Sequence, residues 1–179
     1  MNYADVFLTI NPGFFNREGI RSIPLEWTST ELVLDLRKEL PSGPPFVCPE
    51  GITFGEYHGE LAPLHQAVAQ VDENWVQYFN EEDRFYCAFD GDKIIAFCCL
   101  SEMGEYKGLR VGGPGCVGTI PAYRKQGIGL EMVRLATKQL QKDGYGLSWI
   151  HYTHLDSWYM KLGYEPVLRW NRDGFLPNE

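Results

Sequence analysis

Arg124, Lys125, Gln126, Gly127, Ile128, Gly129 and Leu130 form one run between a strand-like segment that stops at Pro121 and a helix-like segment that continues to Lys142. A helix start leaves its first backbone N–H groups without internal partners and carries about half a positive charge, so it attracts anions. Glycines at 127 and 129 let the backbone approach a bulky phosphate where a Cβ would block it, and Arg124 and Lys125 add full charges. One exposed dipole contact is worth only ~0.3–1 kcal/mol, so several must converge in a closed turn to hold a ligand. The run fits a turn that binds a phosphate-bearing ligand, and it also fits a solvated basic loop that merely starts a helix.

Other patterns narrow the choice. The stretch "GPGCVG", Gly113 to Gly118, satisfies G-x-G-x-x-G, but a strand and a proline follow it where a dinucleotide fingerprint needs a helix. No G-x-x-x-x-G-K-[ST] occurs, so a Walker-type nucleotide site is not expected. His151 and His154 lack further ligands at recognisable spacing, and no metal is expected. The five cysteines are odd in number and show no C-x-x-C spacing; they read as small apolar residues of a reducing compartment, hence a cytoplasmic protein. The net charge of −8 argues against nucleic acid or an anionic membrane as partner and is compatible with a cationic substrate. Neither a signal peptide nor a membrane span is expected from the apolar runs.

The elements that must position the loop follow from periodicity. "ITFGEYH" alternates as a strand; residues 61–79 carry apolar positions at helical spacing, with a break near Asp72; "RFYCAFDGDKIIAFCCL" reads as two strands around a turn at Asp90, Gly91 and Asp92. A glycine-rich approach, "VGGPG", leads to the strand "CVGTI". The helix from about Gly127 to Lys142 has Ile128, Met132, Leu135, Ala136 and Leu140 as its core stripe, and Glu131, Arg134, Lys138 and Gln141 outward. "LSWIHYT" is a strand, "LDSWYMKLG" a short helix closed by Gly163, and "YEPVLRW" a last strand. Before residue 50, "LVLDLRKEL" fits either a strand from Leu32 or a helix capped near Ser29, and residues 1–49 read as an extension wrapped on a single domain at 50–179.

Two stretches resemble the signatures of the GNAT superfamily of acyl-CoA N-acyltransferases. "IPAYRKQGIG", Ile120 to Gly129, is similar to its Arg/Gln-x-x-Gly-x-Gly/Ala motif, and "WYMKLGYEP", Trp158 to Pro166, to its second motif. The resemblance covers residues 50–171. It implies an α/β, three-layer α-β-α fold with a mixed, mostly antiparallel twisted sheet, splayed between the fourth and fifth core strands. It also implies an N-acetyltransferase that uses acetyl-CoA as co-substrate, without metal, acting on an amine acceptor of unknown identity, and it leaves a homodimer open.

By the same resemblance, N–H groups of Lys125 to Leu130 hold the coenzyme's pyrophosphate, while the backbone of Val117, Thr119 and Ile120 pairs with its pantetheine arm as an added strand. Tyr159 takes the place of the family's proton donor. A phenol of pKa ~10 stays protonated at neutral pH and can serve a departing thiolate of pKa ~8.5. A lysine-like acceptor of pKa ~10.4 costs about 4.6 kcal/mol to hold neutral at pH 7, so a base is required; Glu102, Glu105, His151 and His154 are candidates. Many relatives carry asparagine seven residues before the tyrosine, where this chain has Tyr152. A sensor module that binds acyl-CoA without catalysis is the competing expectation.

Overall fold

The computed structural model of the chain describes residues 1–177. Helix α1 (Tyr3–Ile10), a 3-10 turn (Phe14–Asn16) and helix α2 (Glu18–Arg21) precede strand β1 (Ser29–Asp35). Strand β2 (Ile52–Tyr57), helix α3 (Leu61–Ala69) and a 3-10 segment (Glu73–Tyr78) come next, then β3 (Phe85–Asp90), β4 (Lys93–Tyr106) and β5 (Leu109–Thr119). Helix α4 (Ile128–Lys142), β6 (Leu147–Thr153), α5 (Asp156–Met160), β7 (Glu165–Asn171) and β8 (Gly174–Phe175) complete the chain. All the strands lie in one sheet of order β2-β3-β4-β5-β6-β1-β7-β8, and every neighbouring pair is antiparallel except β5 and β6.

Alternation along the strands builds the layers. On β4 and β3, Phe97 and Phe85 meet Phe79, beside α3, with ring centroids 5.5 Å apart in each pair. Their sequence neighbours point the other way, toward α4, which buries Ile128, Met132, Val133, Ala136 and Leu140 against the sheet. On β6, Ser148 and Ile150 face the α4 side, where Ser148 is 2.6 Å from the Tyr164 hydroxyl; Leu147 and Trp149 face a second core with Val6 and Phe7 of α1. The N-terminal helices therefore cover the part of the sheet that α3 leaves bare.

Three features differ from the sequence expectations. The segment around Leu32 is a strand, because β1 finds antiparallel partners on both sides, β6 and β7; residues before 50 are threaded through the sheet and do not only wrap it. The glycine-rich approach "VGGPG" lies inside β5, where Glu102↔Gly112, Ser101↔Gly113 and Leu100↔Pro114 pair with a long β4. On α4, Val133 is fully buried, while Glu131 and Arg134 join in a partly buried ion pair of 2.6 Å. The connector after β1 crosses this face: Gln141 Nε2 donates to the carbonyls of Leu36 and Lys38 at 2.8 and 2.9 Å, and a Cβ on Gly43 would meet the Arg134 side chain at 3.1 Å. Among the described residues no helix is long and apolar enough to cross a membrane.

Candidate functional site

Strands β5 and β6 pair only at Val111↔Leu147 and Gly112↔Ser148. The contact is tightest at Gly113, where a Cβ would sit 1.9 Å from the Trp149 carbonyl oxygen. Beyond that pinch β5 shifts its register against β4 between the Phe97 and Cys99 pairs, with Cys116 at φ +48° in the bulge. The bulge bends the strand away from β6. Gly118, next to this bulge, is also required by packing: a Cβ there would lie 2.5 Å from the Phe97 ring. The parted strands and α5 enclose a cleft of about 360 Å³.

The cleft gathers residues far apart in sequence. Val117, Gly118 and Thr119 form one wall; Arg124, Lys125, Gly127, Ile128, Gly129 and Leu130 form its end; Leu155, Trp158 and Tyr159 form the other wall, with Val71 and Tyr123 at the margins. Two residues singled out by sequence stand apart from this lining. Ile120 is buried at 1% exposure, with its N–H donating to the Ile95 carbonyl at 2.9 Å, and Gln126 is exposed on the outside of the loop.

The loop before α4 has the geometry of an anion cradle. The first helical bond runs from Glu131 N to Gly127 O, and the amides of residues 125–130 donate to no acceptor among the described residues. Lys125 and Gly127 both have left-handed backbones, at φ +64° and +77°, and right-handed Ile128 follows. Alternation of that kind turns successive N–H groups to one side. Gly127 is thus required by the turn itself, whereas Gly129 is required by packing, since a Cβ would meet Thr119 Oγ1 at 2.6 Å. Arg124 Nε donates to the Thr119 carbonyl at 2.9 Å, tying the loop to the end of β5.

Tyr159 stands on α5, whose start is pinned by a 2.7 Å hydrogen bond from Thr30 Oγ1 of β1 to Asp156. Its ring is 5% exposed and meets Trp158 edge-on at 4.9 Å, and its hydroxyl makes no hydrogen bond among the described residues. Burial, with the neighbouring Tyr164 phenol, pushes its pKa well above the ordinary 10.0. The hydroxyl therefore keeps its proton at neutral pH.

The candidate bases part company. Glu102 accepts from Arg110 Nη2 at 2.9 Å and from the Tyr145 hydroxyl, and both it and Glu105 pair with β5 on the closed side of the pinch. His154 is exposed, edge-on to Trp27 at 6.0 Å. His151 lies on β6 past the last β5 pair, and its Nδ1 is 2.9 Å from a carboxylate that sequence reasoning missed, Glu31 of β1. Glu31 is 0% exposed. It accepts hydrogen bonds from Trp149 Nε1 at 2.6 Å, Trp170 Nε1 at 2.7 Å and the Tyr152 amide at 3.0 Å. Tyr152, at the position where relatives carry asparagine, has φ +56°, and this left-handed bulge turns its N–H toward Glu31. The available signal was Glu31 itself, one of two carboxylates in the stretch "STELVLD"; its indole partners lie more than a hundred residues away.

The model of a family described as "Acetyltransferase (GNAT) family" matches residues 53–164. No curated protein matches the chain. Among solved structures, the chain is similar to the GCN5-related glucosamine N-acetyltransferase region of a fungal multi-domain GH3 β-N-acetylglucosaminidase: TM-score 0.64, 21% identity, covering 81% of this chain and 20% of that one. It is similar also to a GCN5-related N-acetyltransferase from Kribbella flavida: TM-score 0.58, 22% identity, covering 80% and 56%. A third is an acetyltransferase from Clostridium acetobutylicum solved with acetyl-CoA: TM-score 0.51, 15% identity, covering 65% and 91%. The chain spans less than two thirds of the length of the first two.

Proposed function

The chain belongs to the GNAT acetyltransferase family, and on that premise we propose that it transfers an acetyl group from acetyl-CoA directly to a primary amine of a small molecule or peptide. One observation carries the reading: Lys125, Gly127, Ile128, Gly129 and Leu130, whose amides donate to no acceptor among the described residues, line the same cleft as a buried, protonated Tyr159. A diphosphate suits those amides, because each donor is already turned inward and needs no reorganisation to bind an anion. An extended pantetheine arm suits the free edge of β5 beyond the pinch, where main-chain groups of Val117 and Thr119 face no strand.

The bound co-substrate supplies an activated acetyl thioester. The protein's own part is to hold it with the carbonyl between the parted strands, to exclude water through Leu155, Trp158 and Val117, and to keep a proton at the Tyr159 oxygen for the leaving sulfur. Acetyl transfer then needs no acyl-enzyme. Cys116, the thiol on β5 next to Val117, supports that economy, since burial pushes its pKa up to about 11 and suppresses the nucleophilic thiolate.

Thermal denaturation with and without acetyl-CoA, followed by thiol release across a panel of primary amines, tests the reading. Stabilisation together with amine-dependent thiol release is expected. Stabilisation without release on any amine contradicts the catalytic reading, and the absence of both contradicts the coenzyme site.

A further inference from the structure

Glu31 is fully buried with four nitrogen partners on its two oxygens, and one of them is on a side chain that reaches solvent. A buried carboxylate is costly unless its lone pairs are filled. Here two indole N–H groups and one amide fix both oxygens in place. The fourth donor, His151 Nδ1, comes from a side chain that retains 31% exposure, while Glu31 has 0%. Glu31 accepts from the other three N–H groups, and if it accepts from the imidazole too, the ring carries its proton on Nδ1 and keeps a lone pair on Nε2 when neutral. The rings of Phe14 and Phe7, at 5.4 and 5.8 Å, flank the imidazole. The edge bearing Nδ1 is spent on a fully buried partner, so the exposed part of the ring is the remainder, which includes Nε2.

The position of this imidazole in the sheet decides what it can do. On β6, Ser148 and Ile150 face the α4 side, and Tyr159 shares their core; Trp149 faces the α1 side, and the rings of Phe7 and Phe14 receive His151 there. The last residue of β6 paired with β5 is Ser148, so His151 stands where the strands have parted. Tyr159 thus lines the cleft, while His151 stands on the α1 face of the same sheet, past the last β5–β6 pair and outside the residues that line the cleft.

We propose that His151 Nε2 is the base that takes the proton from the acceptor ammonium, with buried Glu31 as the positioning residue that fixes its tautomer and stabilises the imidazolium; this role rests on the acetyltransferase reading above. The bound ammonium gives one proton to Nε2, which passes it to water. The neutral nitrogen forms the new bond to the thioester carbonyl carbon, and the carbon–sulfur bond breaks with its electron pair leaving on sulfur. Tyr159 protonates the sulfur, and the proton shed by the new amide nitrogen restores the phenol through solvent. The base and the acid never compete for one site, because they approach the carbonyl from opposite faces of the sheet.

The test is His151→Gln in the full chain, assayed with acetyl-CoA against a strongly basic aliphatic amine, spermidine, and a weakly basic aryl amine, aniline. Aniline arrives neutral at pH 7 and needs no proton removed before attack. The expected result is a turnover loss of about 100-fold or more with spermidine, shrinking to a few-fold with aniline, and CoA affinity by calorimetry equal to wild type. An equal loss on both amines, or no loss, overturns the proposal, since a structural defect does not sort amines by basicity. A second measurement needs no variant: nitrogen NMR of the wild-type imidazole is expected to find His151 protonated at Nδ1 and bare at Nε2, and the opposite tautomer overturns the proposal. Should wild-type protein release no thiol on any amine, the acetyltransferase reading falls and takes this role with it; turnover by wild type matched by the variant removes the role of His151 alone.

Discussion

At the scale of single residues, the hardest requirement of acetyl transfer is a proton held ready for a sulfur that leaves with a negative charge. In the proposed reaction Tyr159 meets it by burial, which makes ionisation of the phenol costly and keeps the proton in place well past neutral pH. Tyr159→Phe preserves the ring contacts with Trp158 and Tyr164 while removing the proton. Steady-state kinetics are therefore expected to show turnover lower by about 10²-fold, with calorimetric CoA affinity unchanged; equal turnover, with chemistry shown to limit the rate, removes the donor role. Tyr159 could be found in sequence through the resemblance of "WYMKLGYEP" to a family signature whose residues are all local. Glu31 could not, because its meaning comes from Trp149, His151, Tyr152 and Trp170, brought beside it only when β1 enters between β6 and β7.

At the scale of elements, the site exists because two parallel neighbours touch and then separate. Gly113 governs the contact: its missing Cβ lets the Trp149 carbonyl approach, and a Cβ fixed to the backbone would meet a main-chain group, so neither could swing aside. Gly113→Ala is expected to destabilise the protein by about 3 kcal/mol or more, the upper end for overpacking, read as a lower midpoint in urea. Gly19→Ala is the control, since a Cβ there meets nothing within 4 Å and α2 tolerates alanine; similar shifts for the two variants contradict the pinch. The turn after β5 could be read from Pro121 and Gly127, whose constraints are local, and the order of strands and helices from β2 to β7 followed from period and turn residues, while β8 was not anticipated. The long reach of β4 and β5 was hidden, because Gly112, Gly113, Pro114 and Gly115 look like loop residues and become strand only through pairing with Cys99 to Glu102 and abutting β6.

At the scale of the whole molecule, the segment before residue 50 completes the sheet. Strand β1 pairs on both edges, places Glu31, and anchors α5 through Thr30. A fragment of residues 50–179 leaves β6 and β7 without their shared partner and uncovers the core around Trp149 and Trp170. It is expected not to fold cooperatively by circular dichroism and urea unfolding; a sharp, native-like transition contradicts the role given to β1. Burial also sets a pH limit. The thiol of Cys87 is pushed up to about 12, Cys98 and Cys99 also lie well above their usual 9.0, and Tyr164 is pushed up to about 12, in each case chiefly by burial. The unfolded chain releases these protons from about pH 9 upward while the folded protein keeps them, so stability is full below that value and falls as pH rises. Urea midpoints measured in reductant from about pH 8 to about pH 11 are expected to decline steadily above about pH 9, and a flat profile contradicts the buried state of these groups.

Every part of this account converges on a diphosphate held by the amides of residues 125–130 at the start of α4. Titration calorimetry that compares CoA with pantetheine, which has the same thiol arm and no diphosphate, isolates that contact. The account predicts clear saturable binding of CoA and binding of pantetheine weaker by at least about 100-fold, roughly 2.7 kcal/mol. Equal affinity for the two, or no heat with CoA at several temperatures and in several buffers, contradicts it.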